Sequence, residues 1–359
     1  IYRAYYAFIK NPRINSKGFN TSAILGFVNT LEEVLKKENP THIGVAFDPA
    51  GPTFRHEAFE QYKAQREETP EAIRLSVPII KEIIRAYRIP ILEVAGYEAD
   101  DVIGTLATEA GRQGIITYMM TPDKDYGQLV SDKVFMYRPK HTGGFEVMGV
   151  DEVKAKFDIQ SPAQVIDMLG LMGDSSDNIP GCPGVGEKTA QKLIAEFGSI
   201  ENLLEHTDQL KGALKTKVET NREMITFSKF LATIKIDVPI QLDMDSLVRE
   251  QADEDSLRQI FEELEFRTLI DRVLKKENAG NGITTPTGNK TAAEKSNLAP
   301  LPLFPEEGEA VQGDLFANFT GNEPGEAKNS NLATLETLNC DYQLIDTEEK
   351  RTKIIQKLL

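Results

Sequence analysis

The sequence predicts an α/β fold built on a parallel sheet and followed by a mainly helical region. From Ile1 to about Lys276, short apolar runs alternate with amphipathic stretches, the pattern of strands connected by crossover helices. Three of those runs end beside acidic residues. After Pro180 the strand-like runs cease, and glycines and prolines punctuate segments of helical periodicity.

The three candidate strands are His42–Phe47, which runs into Asp48, Ile89–Val94, which leads to a turn at Gly96, and Ile115–Met120, which ends just before Asp123. Helical periodicity and boundary residues mark helices over Ser22–Lys37, Pro70–Tyr87, Ala99–Gly111, Pro162–Met172, Glu187–Phe197 and Ile200–His206. The organisation that follows is an α/β core over residues 1–180 and a helical subdomain over 181–276. Residues 277–335, rich in Gly, Asn, Thr, Pro, Ala and Glu, read as a disordered linker. Residues 336–359 read as a strand, a cap at Thr347 and an amphipathic helix, too short to fold alone and therefore the start of a further domain.

At 359 residues and 40% hydrophobic, the chain can bury a sizeable core. No apolar run is long enough to span a bilayer and Ile1–Tyr6 lacks the order of a signal peptide, so a cytoplasmic protein without a membrane partner is expected. Cys182 and Cys340 support neither a disulfide framework nor a zinc site. The net charge of −15 runs against a protein that coats DNA non-specifically, so any contact with phosphate has to rest on local charge.

The acidic residues are grouped. In a parallel α/β sheet, ligands bind beyond the carboxyl ends of the strands. Asp48, the group Glu98, Asp100 and Asp101, and the pair Asp123 and Asp125 fall there, while Asp174 and Asp177 follow a helix. Taken singly, each is as well read as a cap or a solvated loop charge, and Glu98 and Asp101 suit the start of the helix they precede. Together they would repel strongly without counter-charge. With no histidine or cysteine among them, the matching cation is a hard one, Mg²⁺ or Mn²⁺, two or more ions able to activate water and stabilise the oxygens of a phosphate.

Two further features concern phosphate. Gly181–Ala190 places Gly184, Val185 and Gly186 in a tight turn before Lys188 and Thr189 at a helix start, with no preceding strand for a Rossmann reading and the wrong glycine spacing for a P-loop. The spacing matches a helix-hairpin-helix, which grips DNA backbone; a plain interhelical turn is the alternative. The segment Phe54–Arg66 carries Arg55, Lys63 and Arg66, the last two on one face if it is helical. They suit a scissile phosphate, with Tyr62 beside them to stack on a base. The histidines His42, His56, His141 and His206 lack ligand spacing, and no serine sits in a nucleophile elbow.

In order, Ala46-Phe-Asp48, Phe54-Arg-His-Glu57, Tyr62-Lys-Ala-Gln-Arg66, Gly96-Tyr-Glu-Ala-Asp-Asp101, Thr121-Pro-Asp-Lys-Asp125, Gly173–Gly181 and Gly184-Val-Gly-Glu-Lys-Thr-Ala190 resemble the 5′-nuclease (flap endonuclease) family, which includes the amino-terminal part of bacterial DNA polymerase I. The resemblance covers roughly residues 1–276. It implies a resolvase-like (PIN-like) sheet with a helical arch, a helix-hairpin-helix subdomain, and structure-selective hydrolysis of flapped or nicked DNA in primer removal and repair. It assigns metal binding to Asp48, Glu98, Asp100, Asp101, Asp123, Asp125, Asp174 and Asp177, the scissile phosphate to Lys63 and Arg66, and duplex backbone, through K⁺, to the turn at Gly184–Gly186. A monomer is expected. The reading from another class is a module that binds flaps or nicks without cutting; an RNA nuclease is disfavoured by the hairpin. Family members also begin with an apolar strand ending in aspartate and glycine ahead of the part matching Ile1–Tyr6. Without that strand, lower stability and impaired catalysis are expected. Finally, Gln312-Gly-Asp-Leu315-Phe316 resembles the short peptide by which bacterial replication proteins dock on the sliding clamp.

Overall fold

The computed structural model describes residues 1–140 and 144–274. The expected linker (277–335), the expected start of a further domain (336–359) and Gln312, Leu315 and Phe316 lie outside the described residues.

The chain opens with α1 (Tyr2–Ala7) and α2 (Ser22–Lys37), then β1 (Val45–Ala46), α3 (Phe54–Ala58), α4 (Glu71–Ala86), β2 (Ile91–Leu92), α5 (Ala99–Arg112) and β3 (Thr117–Met120). β4 (Val134–Pro139) and β5 (Phe145–Met148) lead into α6 (Val150–Phe157) and α7 (Val165–Met172). Seven helices follow: α8 (Glu187–Phe197), α9 (Ile200–Glu205), α10 (Gly212–Thr220), α11 (Arg222–Ala232), α12 (Met244–Leu247), α13 (Glu254–Glu263) and α14 (Arg267–Leu274).

Helices emerge close to where periodicity puts them. In α4 the buried Ile73, Ser76, Ile80, Ile83 and Ile84 recur every three or four residues, so one face enters the core while Glu71, Arg74 and Lys81 stay on the other. Pro78 lies within that helix and does not end it. α5 starts where a carboxylate at its third position, Asp101, accepts the Glu98 amide at 3.1 Å.

The strands differ more. β1 pairs with β2 in parallel and β3 with β4 in parallel, while β5 runs antiparallel to β4. Among the described residues the sheet therefore stands as two pieces, not one. β1 is shorter than the apolar run His42–Phe47 because the run's first half pairs elsewhere: Ile43 N–H donates to Leu247 O at 2.8 Å and His42 bridges Val248. β2 follows Pro90, whose nitrogen carries no hydrogen to extend the ladder. Along β3, Met119 is buried while Ile116, Tyr118 and Met120 are exposed.

Two principal cores hold the fold. One joins β3, β4 and β5 to α7, α8 and α11, with Val134, Met136, Leu169, Ile194 and Ile225 buried in it. The other joins α2 and α4 to α13 and α14 through Ile24, Ile80, Ile83 and Phe261. The first core runs across residue 180, so the helices after the hairpin rest on the same apolar interior as the strands. That packing fixes the hairpin relative to the acidic loops. No helix among the described residues is long and apolar enough to cross a membrane.

Candidate active site

Four loops carry the acidic residues: the end of β1 (Asp48), the start of α5 (Glu98, Asp100, Asp101), the turn after β3 (Asp123, Asp125) and the loop after α7 (Asp174, Asp177). A fifth element, α3 and the turns after it up to Arg66, lies against them and supplies cations.

Arg55 is the centre of the buried half. Its side chain is 2% exposed, and its Nη1 donates to Glu98 Oε2 at 2.9 Å and to Asp101 Oδ2 at 2.8 Å. Nη2 donates to Asp101 Oδ1 at 2.8 Å and to Thr233 O at 2.7 Å, and Nε to Leu231 O at 2.9 Å. Such saturation is what a buried guanidinium needs. Burial alone would lower its pKa, and Asp101 outweighs that and raises it. Asp101, with no exposed surface, also accepts the amides of Glu98 and Lys235. Arg55 is thus an internal counter-ion and does not face DNA, which corrects the expectation from its sequence.

Tyr62 needs the same correction. It is 3% exposed and its hydroxyl donates to Glu98 Oε2 (3.0 Å) and Asp177 Oδ2 (3.2 Å), so its ring has no free face for a base. Residues 60–66 form turns, so Lys63 and Arg66 do not share a helix face, and the span from 59 to 70 that joins α3 to α4 contains no helix. Lys63 has φ +56°, a left-handed backbone uncommon for a lysine, held by its amide donating to Asp177 O at 3.0 Å. Its ammonium donates to Glu98 Oε1 at 2.6 Å and lies 3.7 Å from Asp177. Burial lowers the affinity of Lys63 for its proton, and Asp177 and Glu98 more than restore it. Arg66 pairs with Asp177 and donates from Nε to Ser176 O at 3.2 Å.

Sequence reasoning passed over Lys124. It sits between two aspartates, and its ammonium reaches Asp174 Oδ2 at 2.8 Å. Asp174 also accepts from Ser176 N–H (2.7 Å) and Oγ–H (2.5 Å); burial opposes its charge, but these donors hold its pKa below the usual range. The signal available was the lysine inside Asp123-Lys-Asp125.

The other carboxylates have no such cover. Asp48 is exposed, with Oδ1 accepting the Ala99 amide at 2.8 Å, and Asp123 is exposed, accepting the Asp125 amide at 3.0 Å. Burial, then Glu98, pushes Asp100 up to about 7, against Lys63 and Arg55. Burial, then Asp123 and Asp174, pushes Asp125 up to about 8. Asp125 Oδ1 is buried and takes no hydrogen bond from the described residues. An unpartnered buried carboxylate oxygen among like charges fits a hard cation, as does a donor set of oxygens alone. Among the described residues no group of three or more His, Cys, Asp or Glu side chains stands in a position to hold an ion, and Lys63, Arg66 and Lys124 pair with Glu98, Asp177 and Asp174.

The hairpin lies between α7 and α8. Gly184 has φ +76°, which an L side chain rarely adopts, and Gly186 caps α8. Val185 is buried and anchors the turn, whereas Gly184, Gly186 and Lys188 are exposed and Thr189 is partly so. The Thr189 and Ala190 amides donate to Gly186 O at 3.0 Å and close the first turn of α8.

Comparison with known proteins now decides the family. The model of the N-terminal resolvase-like domain of 5′-3′ exonucleases matches residues 1–158, and that of their C-terminal SAM fold matches residues 160–255. The chain belongs to the 5′-3′ exonuclease family. Relatives include DNA polymerase I of Bacillus subtilis (44% identical over 273 residues), of Bacillus caldotenax (42%) and, in thermostable form, of Thermus filiformis (40%). Each match covers 75% of this chain and 31% of the relative, so the chain spans about a third of their length. Among solved structures, the phage T5 D15 flap endonuclease with DNA and metal ions aligns with a TM-score of 0.52 at 21% identity, covering 74% of this chain and 95% of that one. The catalytic core of Rad2 with DNA substrate aligns at 0.52 and 16%, covering 76% and 88%. Both show that this chain shares their fold.

Proposed function

We propose that this chain is a structure-selective 5′-nuclease that hydrolyses phosphodiester bonds of flapped or nicked DNA, acting as a monomer and as one part of a DNA polymerase I. The observation that carries it is Asp125, whose buried oxygen has no partner and which lies among Asp123, Asp174 and Asp177, beside a cationic segment at Lys63 and Arg66. The relatives named DNA polymerase I and the DNA-bound flap endonuclease support the same reading. Primer removal and repair are the settings in which such a substrate arises.

Asp48, Asp100, Asp123 and Asp125 would hold Mg²⁺ or Mn²⁺, with Glu98, Asp174 and Asp177 as further carboxylates of the same all-oxygen donor set. When bound, such ions supply a Lewis acid and an activated water for the phosphate. The chain's own part is to hold carboxylates apart and to present cations. Lys63 and Arg66, which pair with Glu98 and Asp177, are the cations of this chain that would meet the oxygens of the scissile phosphate. Arg55 and Asp101 keep the α5 start in place throughout. The hairpin with Lys188 and Thr189 holds duplex backbone. The sliding clamp, through Gln312, Leu315 and Phe316, is the proposed protein partner, and the cytoplasm the proposed location.

The ion pairs of Lys63, Arg66 and Lys124 favour one other reading, a module that recognises flaps without cutting. A 5′-end-labelled flap duplex separates the two. With Mg²⁺ or Mn²⁺, the nuclease releases short 5′ products and loses them when Asp123→Asn is combined with Asp174→Asn. Tight flap binding with no metal-dependent product would establish the module instead.

A further inference from the structure

Among the described residues, Arg138 Nε is the one buried side-chain donor left without an acceptor, the other unpartnered buried atoms being carboxylate oxygens of Glu33 and Asp125. Arg138 stands near the end of β4, on the strand face that carries the buried Val134 and Met136, and its side chain is 22% exposed. Nη1 donates to Met148 Sδ at 3.3 Å, a weak acceptor, and lies 3.7 Å from Glu146, its partner across the ladder. A guanidinium offers five donors in a planar fork, and a buried donor left open is unfavourable.

The neighbours of Arg138 show that negative charge is short here. Arg3 donates to the Pro139 carbonyl at 3.3 Å and to the Lys140 carbonyl at 3.0 Å, which brings a second guanidinium to the same strand end. Burial, then Arg138, lowers the affinity of Arg3 for its proton, and the same two causes act on the exposed Lys156 of α6, against Glu146. An anion beside Arg138 relieves both neighbours and supplies the missing acceptor.

The position of Arg138 indicates which anion. β4 runs parallel to β3, so its carboxyl end lies beside the turn that carries Asp123, and Lys124 and Asp123 both act on Lys156. α1 leads to the same place from the cationic segment: the hydroxyls of Tyr2 and Thr69 are hydrogen-bonded at 2.6 Å, and Arg3 is the next residue. A DNA strand that meets Lys63 and Arg66 and continues across α1 arrives at Arg138 with its backbone charge.

We propose that Arg138, with Lys156 beside it, is a phosphate subsite for the single-stranded 5′ part of the substrate, taking one backbone phosphodiester away from the cut. Arg3, held by two strand carbonyls, adds fixed charge. This inference rests on the reading of the chain as a flap nuclease.

The test is fluorescence anisotropy of the full chain, without divalent metal, on a labelled 5′-flap duplex whose flap carries one neutral methylphosphonate linkage, moved position by position. The wild type loses about fivefold in affinity at one linkage, and Arg138→Gln, weaker by that factor on the unmodified flap, loses nothing more there. The log–log salt slope of Arg138→Gln is shallower by about 0.7 on the flap and unchanged on a nicked duplex without one. Lys156→Gln, on the exposed side of α6, moves the flap slope in the same direction at an unchanged melting temperature, so the outcome does not depend on Arg138→Gln folding. Losses that add at every linkage, or a flap slope unchanged in both variants, overturn the inference and leave the nuclease reading standing. A wild type that binds no flap overturns both.

Discussion

Asp101 and Asp123 each stand at the start of a helical turn near the carboxyl end of a strand, yet their surroundings are opposite. Asp101 has no exposed surface and takes two guanidinium bonds and two amides. Asp123 is exposed and accepts one amide from its own turn. The difference teaches that an acidic cluster is two structures in one: a sealed half whose charges are balanced inside the protein, and an open half that lacks balance. Only the second leaves capacity for an external cation.

The sharpest way to break that comparison is to remove the sealed half's counter-ion. Arg55→Met leaves Asp101 buried without a counter-ion and Glu98 with Lys63 alone, and should cost roughly 3–5 kcal/mol in urea unfolding. An unchanged midpoint would place Arg55 outside the scaffold. A smaller effect comes from the open half through pH. Asp100 at about 7 and Asp125 at about 8 hold protons in the folded chain that an unfolded carboxylate releases near pH 4. Their contribution to stability is full below that point and is lost as pH rises through 7 to 8. Metal-free melts between pH 6 and 9 should therefore fall with pH, and added Mg²⁺ should raise the melting temperature more at pH 9, because ligands bind deprotonated.

Smallest of all, Lys188→Ala should leave stability within about 0.5 kcal/mol while lowering the salt slope of duplex binding by about 1.

Much of the fold was legible. The bounds of α2 and α8 follow from periodicity and glycine, and the reading of Asp101 as a cap proved right because a short carboxylate three residues into a helix reaches back whatever else surrounds it. The strands were legible in position and not in length, since Ile43 spends its amide on Leu247, a partner far along the chain. The same distance hid the role of Arg55. Its partners at Leu231 and Thr233 lie more than 170 residues away, and nothing local separates a buried arginine from one that meets phosphate. Tyr62 misled for the like reason: an aromatic ring beside cations suits base stacking, and also suits a hydroxyl donating inward to Glu98.

The division of the acidic residues is tested most directly by Asp123→Asn, assayed in one preparation for thermal unfolding and for metal-dependent cleavage of a 5′-labelled flap. The account predicts a melting temperature close to the wild type and a loss of cleavage of more than about 100-fold. Wild-type cleavage, or a collapse in stability like that of Arg55→Met, would contradict it.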